Sequence, residues 1–186
     1  APGQTAADRE VDEKLAAAVG PEVTGQQREE TPEQQAKRLK GAGIGYFNRR
    51  MYADAVVYFS DAIKLGVQDP ELYCYSAKSK ILGAGEGDAE AMLAALGDLD
   101  AALELNGKYL DALTERARVR VQVGHLSHDA DILAEGIADT NAALEVGGET
   151  GKLIILRGTA KAFLGELKGE PVVLEQAIVD LSRGLE

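Results

Sequence analysis

Residues 31–65 read TPEQQAKRLKGAGIGYFNRRMYADAVVYFSDAIKL, and their reading decides the fold. Thr31 is placed to cap a helix, Pro32 suits the first helical position because its missing N–H would be unpaired there anyway, and Gln34 completes a capping box. A second helix is expected from about residue 52 to 65. The chain then repeats the arrangement. Segment ends DAIKL (61–65), AALEL (101–105), AALEV (142–146) and RGLE (183–186) recur every 40 or 41 residues. Asp98, Asp139 and Asp180 stand 41 apart, as do Leu103, Leu144 and Leu185, while Ala77, Ala117 and Gly158 stand 40 and 41 apart. Features that share a period and keep their mutual offsets define an array of repeated units.

Each unit reads as a helix pair. Helix A is expected over about 32–49, 70–83, 109–123 and 151–164, and helix B over about 52–65, 88–105, 128–146 and 171–186. Gly83-Ala84-Gly85, Gly124 and Gly165 are expected to break A from B, and Pro70, Gly107 and Gly147-Gly148 to separate the units. Pro171 falls in a first helical turn and Asp88 is placed to cap. No segment alternates polar and β-branched residues, so sheet content should be near zero. Upstream, Val11, Leu15, Ala18 and Val19 lie at helical spacing within residues 5–19, Gly20-Pro21 ends that helix, and a polar linker follows. The expected organisation is an N-terminal amphipathic helix and linker (1–30) before a helical repeat domain (31–186), with units of about 31–69, 70–107, 108–148 and 149–186.

The first unit carries Leu39, Ala42-Gly43, Tyr46, Ala55, Phe59 and Ala62. This resembles the tetratricopeptide repeat (TPR) pattern L-x2-[small]-G-x2-Y followed by A-x3-F-x2-A. The later units match through Tyr73, Ala77, Ala95, Leu99 and Ala102; Leu113, Ala117, Gly124 and Ala143; and Ile154, Gly158, Gly165, Ala177 and Leu181. The resemblance covers roughly residues 32–186 and implies an all-α fold, an α-solenoid of about four TPR-like helix pairs wound as a right-handed superhelix. Units two to four exceed the 34-residue repeat by six or seven residues, nearly two helical turns, which predicts a longer helix B and a longer AB turn. Arg116 and Arg157 precede the small residue of helix A in units three and four, and Asp139 and Asp180 stand in helix B. Structural pairs Arg116–Asp139 and Arg157–Asp180 are expected, with Lys80–Asp98 as their counterpart in unit two.

Composition narrows the function. Lys and Arg number 20 against 31 Asp and Glu, a net charge of −11 that opposes binding to nucleic acid or anionic lipid. No run is long and apolar enough for a membrane span, so a soluble chain is expected. Two compartments stay open: the cytoplasm, or the periplasm or exterior if a signal peptide was removed. Cys74 is the sole cysteine and excludes an internal disulfide.

Candidate chemical sites dissolve on inspection. Gly41-Ala42-Gly43-Ile44-Gly45 follows no strand and lacks the Lys-Ser/Thr of a phosphate loop, so it reads as close helix packing. His125 and His128 have only Asp129 and Asp131 beside them, which reads as an exposed turn rather than a metal site. Glu86 to Glu90 lacks the ligand ladder of a calcium loop. No nucleophile or zinc-protease motif is present, so neither cofactor nor enzyme activity is expected.

The resemblance implies instead a partner-binding surface on the concave face formed by the A helices. The corresponding stripe is Lys37, Lys40, Ile44 and Phe47; Glu71, Cys74, Lys78 and Ile81; Asp111, Thr114, Arg118 and Val121; and Lys152, Ile155, Thr159 and Ala162, with five basic and two acidic residues. The family's carboxylate clamp for chaperone tails is matched by Lys40 but not by Ile44, Tyr75, Asp111 or Glu115 at its other positions. The expected function is therefore a protein–protein interaction scaffold or adaptor that holds a segment of another protein. The alternative is a structural subunit of a larger assembly or a homo-oligomer. It would dock through residues 5–19, supported by eight acidic and three basic side chains in residues 1–35, and through the end of the fourth helix B, where no polar capping helix follows Glu186.

Overall fold

A computed structural model describes residues 30–85 and 87–186. The helix expected over residues 5–19 lies outside the described residues. Those residues form α1 (Pro32–Asn48), α2 (Tyr52–Lys64), α3 (Pro70–Gly83), α4 (Ala89–Leu105), α5 (Leu110–Ser127), α6 (Ala130–Gly147), α7 (Gly151–Lys168) and α8 (Pro171–Gly184). There is no strand among them, and no described helix is long and apolar enough to cross a membrane. Contacts gather the chain into two compact units, one running to Gln68 and the other from Asp69 to Glu186.

In the first unit α1 packs on α2. The capping box forms: the Gln34 N–H donates to Thr31 Oγ1 at 3.3 Å and the Thr31 N–H to Gln34 Oε1 at 3.0 Å. Two orphan donors of the first turn are thereby satisfied. Gly43 brings the helices together, because a Cβ there would lie 2.6 Å from Phe59 Cε1. Ala55, Phe59 and Ala62 are fully enclosed, and Tyr46 stacks on Tyr58 with centroids 5.0 Å apart.

In the second unit the pairs are α3–α4, α5–α6 and α7–α8, and successive pairs meet through α4 on α5 and α6 on α7. Asp69, Asp88, Asp129 and Thr150 cap the starts of α3, α4, α6 and α7 by accepting first-turn N–H groups. A cluster of Cys74, Ala77, Met92, Ala95, Leu99, Ala102, Ala112 and Val119 fills the space among α3, α4 and α5. Val121, Leu133, Ala160 and Leu164 do the same among α5, α6 and α7.

The extra residues of the longer units are placed differently from the sequence reading. A longer helix B is present both in α4 (17 residues) and in α6 (18 residues), against 13 in α2, but a longer turn precedes it only in the α3–α4 pair, where residues 84–88 form the link. In the next two pairs helix A is the longer element than expected, at 18 residues in both α5 and α7. Gly124 and Gly165 therefore do not break the chain. They are buried inside helices, where an added Cβ would stand 2.9 Å from Leu133 and Leu174 atoms respectively. Their role is the close approach that Gly43 serves in the first unit. The actual stops are Arg50, His128 and Gly169, all left-handed, with the next N–H bonding back to Tyr46, Gly124 and Gly165 carbonyls. Two of those three positions carry a side chain where glycine fits best. His128→Gly should raise stability by about 1 kcal/mol. Its thermal midpoint should exceed that of the parent, and a fall would contradict the strain argument.

The charged pairs form a repeating ladder. Asp139, nearly enclosed, accepts from Arg116 Nε at 2.9 Å and Nη2 at 2.6 Å, and from Arg120 Nη1 at 2.6 Å. Asp180 accepts from Arg157 Nε at 2.8 Å and Nη2 at 2.6 Å, and from Lys161 Nζ at 2.8 Å. The third guanidinium nitrogen reaches back to the preceding helix B, Arg116 to Asp100 at 2.7 Å and Arg157 to Asn141 at 3.1 Å. Each arginine thus ties its own pair together and ties that pair to the one before. In the α3–α4 pair Ser76 takes the arginine's place, and Lys80 alone meets Asp98, at 2.7 Å. The Tyr46–Tyr58 stack occupies the matching positions of the first unit. Ser76 Oγ is fully buried and has no hydrogen-bond partner among the described residues. An unsatisfied buried hydroxyl is costly, so Ser76→Ala should be neutral or stabilising by about 1 kcal/mol in a urea titration.

Candidate functional site

A groove of about 510 Å³ opens in the second unit between α5 and α7. Leu110, Leu153, Ile155 and Leu156 give it an apolar floor, and Thr114, Thr150 and Thr159 add hydroxyls. Leu110 is seated against Gly147, where a Cβ would come within 2.6 Å of its Cδ2, so the glycine at the end of α6 sets one wall.

The charges at the rim are mostly paired. Lys78 Nζ bonds Asp111 Oδ2 at 3.1 Å, and Arg118 bonds Glu115 Oε2 through Nη2 at 2.7 Å and Nε at 3.0 Å. Burial pulls the Lys78 ammonium down, but the hydrogen bond and charge of the Asp111 carboxylate, with Glu115 adding to them, outweigh it and hold its pKa above the ordinary lysine value. Lys152 is exposed on the rim and has no ion-pair partner among the described residues. The free positive character of the groove is therefore one lysine rather than the surplus that the stripe suggested.

Of the stripe residues, Lys78, Asp111, Thr114, Arg118, Lys152, Ile155 and Thr159 line this groove. Glu71 is exposed and Ile81 is half-buried, packed against the first cluster, and neither lines it. Cys74 and Val121 need correction, since both are buried in the core and present no surface to a partner. They sit three residues before Ala77 and four after Ala117, on the border between the exposed stripe and the face that packs on helix B. Burial pushes the Cys74 thiol up to about 12, with Lys78 opposing and Asp111, Glu115 and Glu71 adding to the rise. The folded protein should accordingly resist alkylation by iodoacetamide at pH 8, with full labelling only after unfolding. Rapid labelling of the native chain would contradict this placement. Lys37, Lys40, Ile44 and Phe47 lie on α1 in the first unit; Lys37 is exposed, the others half-buried, and Phe47 meets Tyr52 edge-on at 5.5 Å.

Leu110, Leu153 and Leu156 escaped the sequence reading because an apolar residue on a helix is ordinarily assigned to the core. Their signal was the adjacency of Leu153 and Leu156 to Ile155, which widens the stripe. Elsewhere, His125 stacks on Phe163 with centroids 3.7 Å apart, beside a hollow of about 310 Å³ that His128 and Glu166 also line. Among the described residues no group of three or more His, Cys, Asp or Glu side chains is placed to hold a metal.

No family model matches the chain. It is 30% identical over 103 residues to human tetratricopeptide repeat protein 4, a match that covers 53% of this chain but only 25% of that protein. Among solved structures it resembles MamA, with a TM-score of 0.67 at 16% identity over 98% of this chain and 94% of that one. YrrB, described as a TPR protein with an unusual peptide-binding site, superposes with a TM-score of 0.55 at 23% identity over 78% of this chain and 68% of that one. The first TPR of Spaghetti (RPAP3), solved with the HSP90 peptide SRMEEVD, gives 0.54 at 20% identity over 75% of this chain and 98% of that one. The repeated helix pairs, the glycine and alanine notches and these likenesses agree, and the described residues have the TPR-like fold, an all-α solenoid of helix pairs.

Proposed function

We propose that this chain is a protein-interaction scaffold whose α5–α7 groove takes up a segment of a partner protein, largely apolar and carrying a carboxylate that meets Lys152. The observation that carries the reading is the half-buried apolar floor of Leu110, Ile155 and Leu156, with buried Leu153 behind it, beside Lys152, a cation with no ion-pair partner among the described residues. A groove of this volume with an apolar lining and a few polar groups is the usual form of a recognition site. The peptide-bound and peptide-binding TPR structures that share the fold support the choice of a peptide over a small molecule. Chaperone tails remain disfavoured, since Ile44, Tyr75, Asp111 and Glu115 stand at positions where the family's carboxylate clamp has other residues. No catalytic step is assigned.

The internal pairing changes which substitutions should matter. Reversing Arg118 or Lys78 also unpairs Glu115 or Asp111, whereas Lys152→Glu removes directly the attraction of a groove cation that has no ion-pair partner among the described residues. The test is a random peptide display library panned on the immobilised chain, with Ile155→Glu as the counter-target. Enrichment of peptides rich in Leu, Ile or Phe with an Asp or Glu, lost on Ile155→Glu and weakened on Lys152→Glu, is the expected result. No enrichment, or equal enrichment on the variant, would sink the proposal.

A further inference from the structure

The hollow beside the His125–Phe163 stack continues the α5–α7 groove. On α7, Lys152, Leu156, Thr159, Phe163 and Glu166 follow one another at spacings of four, three, four and three residues, so they share one face of the helix. The first three line the groove and the last two line the hollow. On α5, Asp111, Thr114 and Arg118 line the groove. His125, seven residues after Arg118 and therefore on the same face, lines the hollow. The two spaces are thus successive stretches of one seam between these helices.

The charges along the seam are sorted by their partners. Lys78 is bonded to Asp111 and Arg118 to Glu115, which leaves those four without net charge. Lys152 and Glu166 are both exposed, and neither has an ion-pair partner among the described residues. They stand fourteen residues apart on α7, about 21 Å along its axis. The seam is therefore bipolar, with a free cation toward one end and a free carboxylate toward the other. The carboxylate end is further suited to a cation. His125 and Phe163, stacked at 3.7 Å, offer ring faces there. The helices α5 and α7 also both finish at this end, at Ser127 and Lys168, where their last carbonyls carry partial negative charge. Lys168 itself lies about 200° round the helix from Glu166 and does not line the hollow. The α3–α5 seam lacks this pattern: one period earlier Asp111 stands for Lys152, Gln122 for Phe163 and His125 for Glu166.

We propose that Glu166 and the His125–Phe163 stack form a guanidinium subsite, which takes an arginine of the same partner segment whose carboxylate meets Lys152. The inference rests on the groove reading and adds to it a second anchor, a spacing and a direction. Arginine suits the subsite better than lysine, because its planar group lies flat on a ring while bonding a carboxylate through two N–H groups. An extended segment rises about 3.3 Å per residue, which sets its arginine about six or seven residues from its acid. At a spacing of about six, the acid, the alternate residues between and the arginine all face the seam.

The test pans the random peptide display library on the parent chain, on Glu166→Arg and on Val179→Arg. Val179 is exposed on α8 and lines neither space. A basic residue in the last turns of α7 favours the helix, so Glu166→Arg should fold as the parent does. The parent and Val179→Arg should select apolar peptides with an acid and, at the stated spacing and in one consistent order, an arginine. Glu166→Arg should still select the apolar residues and the acid, with the arginine lost or replaced by Asp or Glu. Replacing the arginine of one selected peptide by glutamate should weaken its binding to the parent about fivefold and restore it on Glu166→Arg. Apolar and acidic enrichment without arginine at a fixed spacing, or with arginine equally enriched on Glu166→Arg, would overturn the subsite and leave the groove reading standing. Loss of all enrichment on the parent would remove both.

Discussion

Asp139→Ala should destabilise the second unit by about 2–4 kcal/mol, whereas Asp100→Ala should cost less than about 1 kcal/mol. Both aspartates bind Arg116, and the difference lies in their surroundings. The Asp139 side chain is 6% exposed and holds two guanidiniums, Arg116 and Arg120; that of Asp100 is 49% exposed and holds one. Removing Asp139 leaves cationic groups facing a site without an anion, and that stranded charge, more than the lost attraction, sets the cost. Asp100 and Glu135 retain part of the pairing, which keeps the effect below that of a fully enclosed ion pair. Urea midpoints at constant slope are the measurement. Equal losses for the two variants would mean that the ladder is decorative. The acid limb of stability tests the next rung. Burial raises the Asp180 pKa, but hydrogen bonds and charge from Arg157 and Lys161 outweigh it and hold the carboxyl below the ordinary 3.8. Its folded value is thus depressed, so its contribution is complete above the unfolded value and disappears as pH falls through the folded one. Stability should hold to about pH 4 and then decline, with less decline in Asp180→Asn.

Phe59→Ala should cost about 3–5 kcal/mol in the first unit, the range for emptying a sealed aromatic site. Phe59 has no exposed surface, and its ring fills the notch that Gly43 leaves on α1. The pairing makes a sharper test through a change of sign. In the parent, Gly43→Ala should destabilise, because the new Cβ would meet the ring at 2.6–2.9 Å. In the Phe59→Ala background the obstruction is gone, and alanine's better helix propensity should make the same substitution stabilising by about 0.5–1 kcal/mol. A double-mutant cycle reads the coupling directly. Additive effects would show that glycine is at 43 for some reason other than the ring.

Much of this architecture was legible because the repeat forces one physical problem to be solved several times. The period located Asp98, Asp139 and Asp180, and the capping box at Thr31 located the start of α1. Gly124 and Gly165 were misread because glycine is a common helix stop and its packing use is visible only in context. The context was present: each lies seven residues after the small anchor Ala117 or Gly158, nearly two turns on, and so on the same buried face. Cys74 and Val121 show the other limit. Spacing fixes the direction of a side chain to within a fraction of a turn, while burial at the edge of a stripe depends on the bulk of the neighbours. The internal pairing of Lys78 and Arg118 was hidden for a related reason, since Asp111 lies 33 residues from Lys78 and meets it only once α3 and α5 are packed.

The scaffold proposal is tested most directly by calorimetric titration of one display-selected peptide into the parent chain, Ile155→Glu and Val179→Glu. The groove reading predicts at least tenfold weaker binding to Ile155→Glu, about 1.4 kcal/mol or more, with Val179→Glu binding as the parent does. Binding that survives Ile155→Glu unchanged would place the partner surface elsewhere and contradict it.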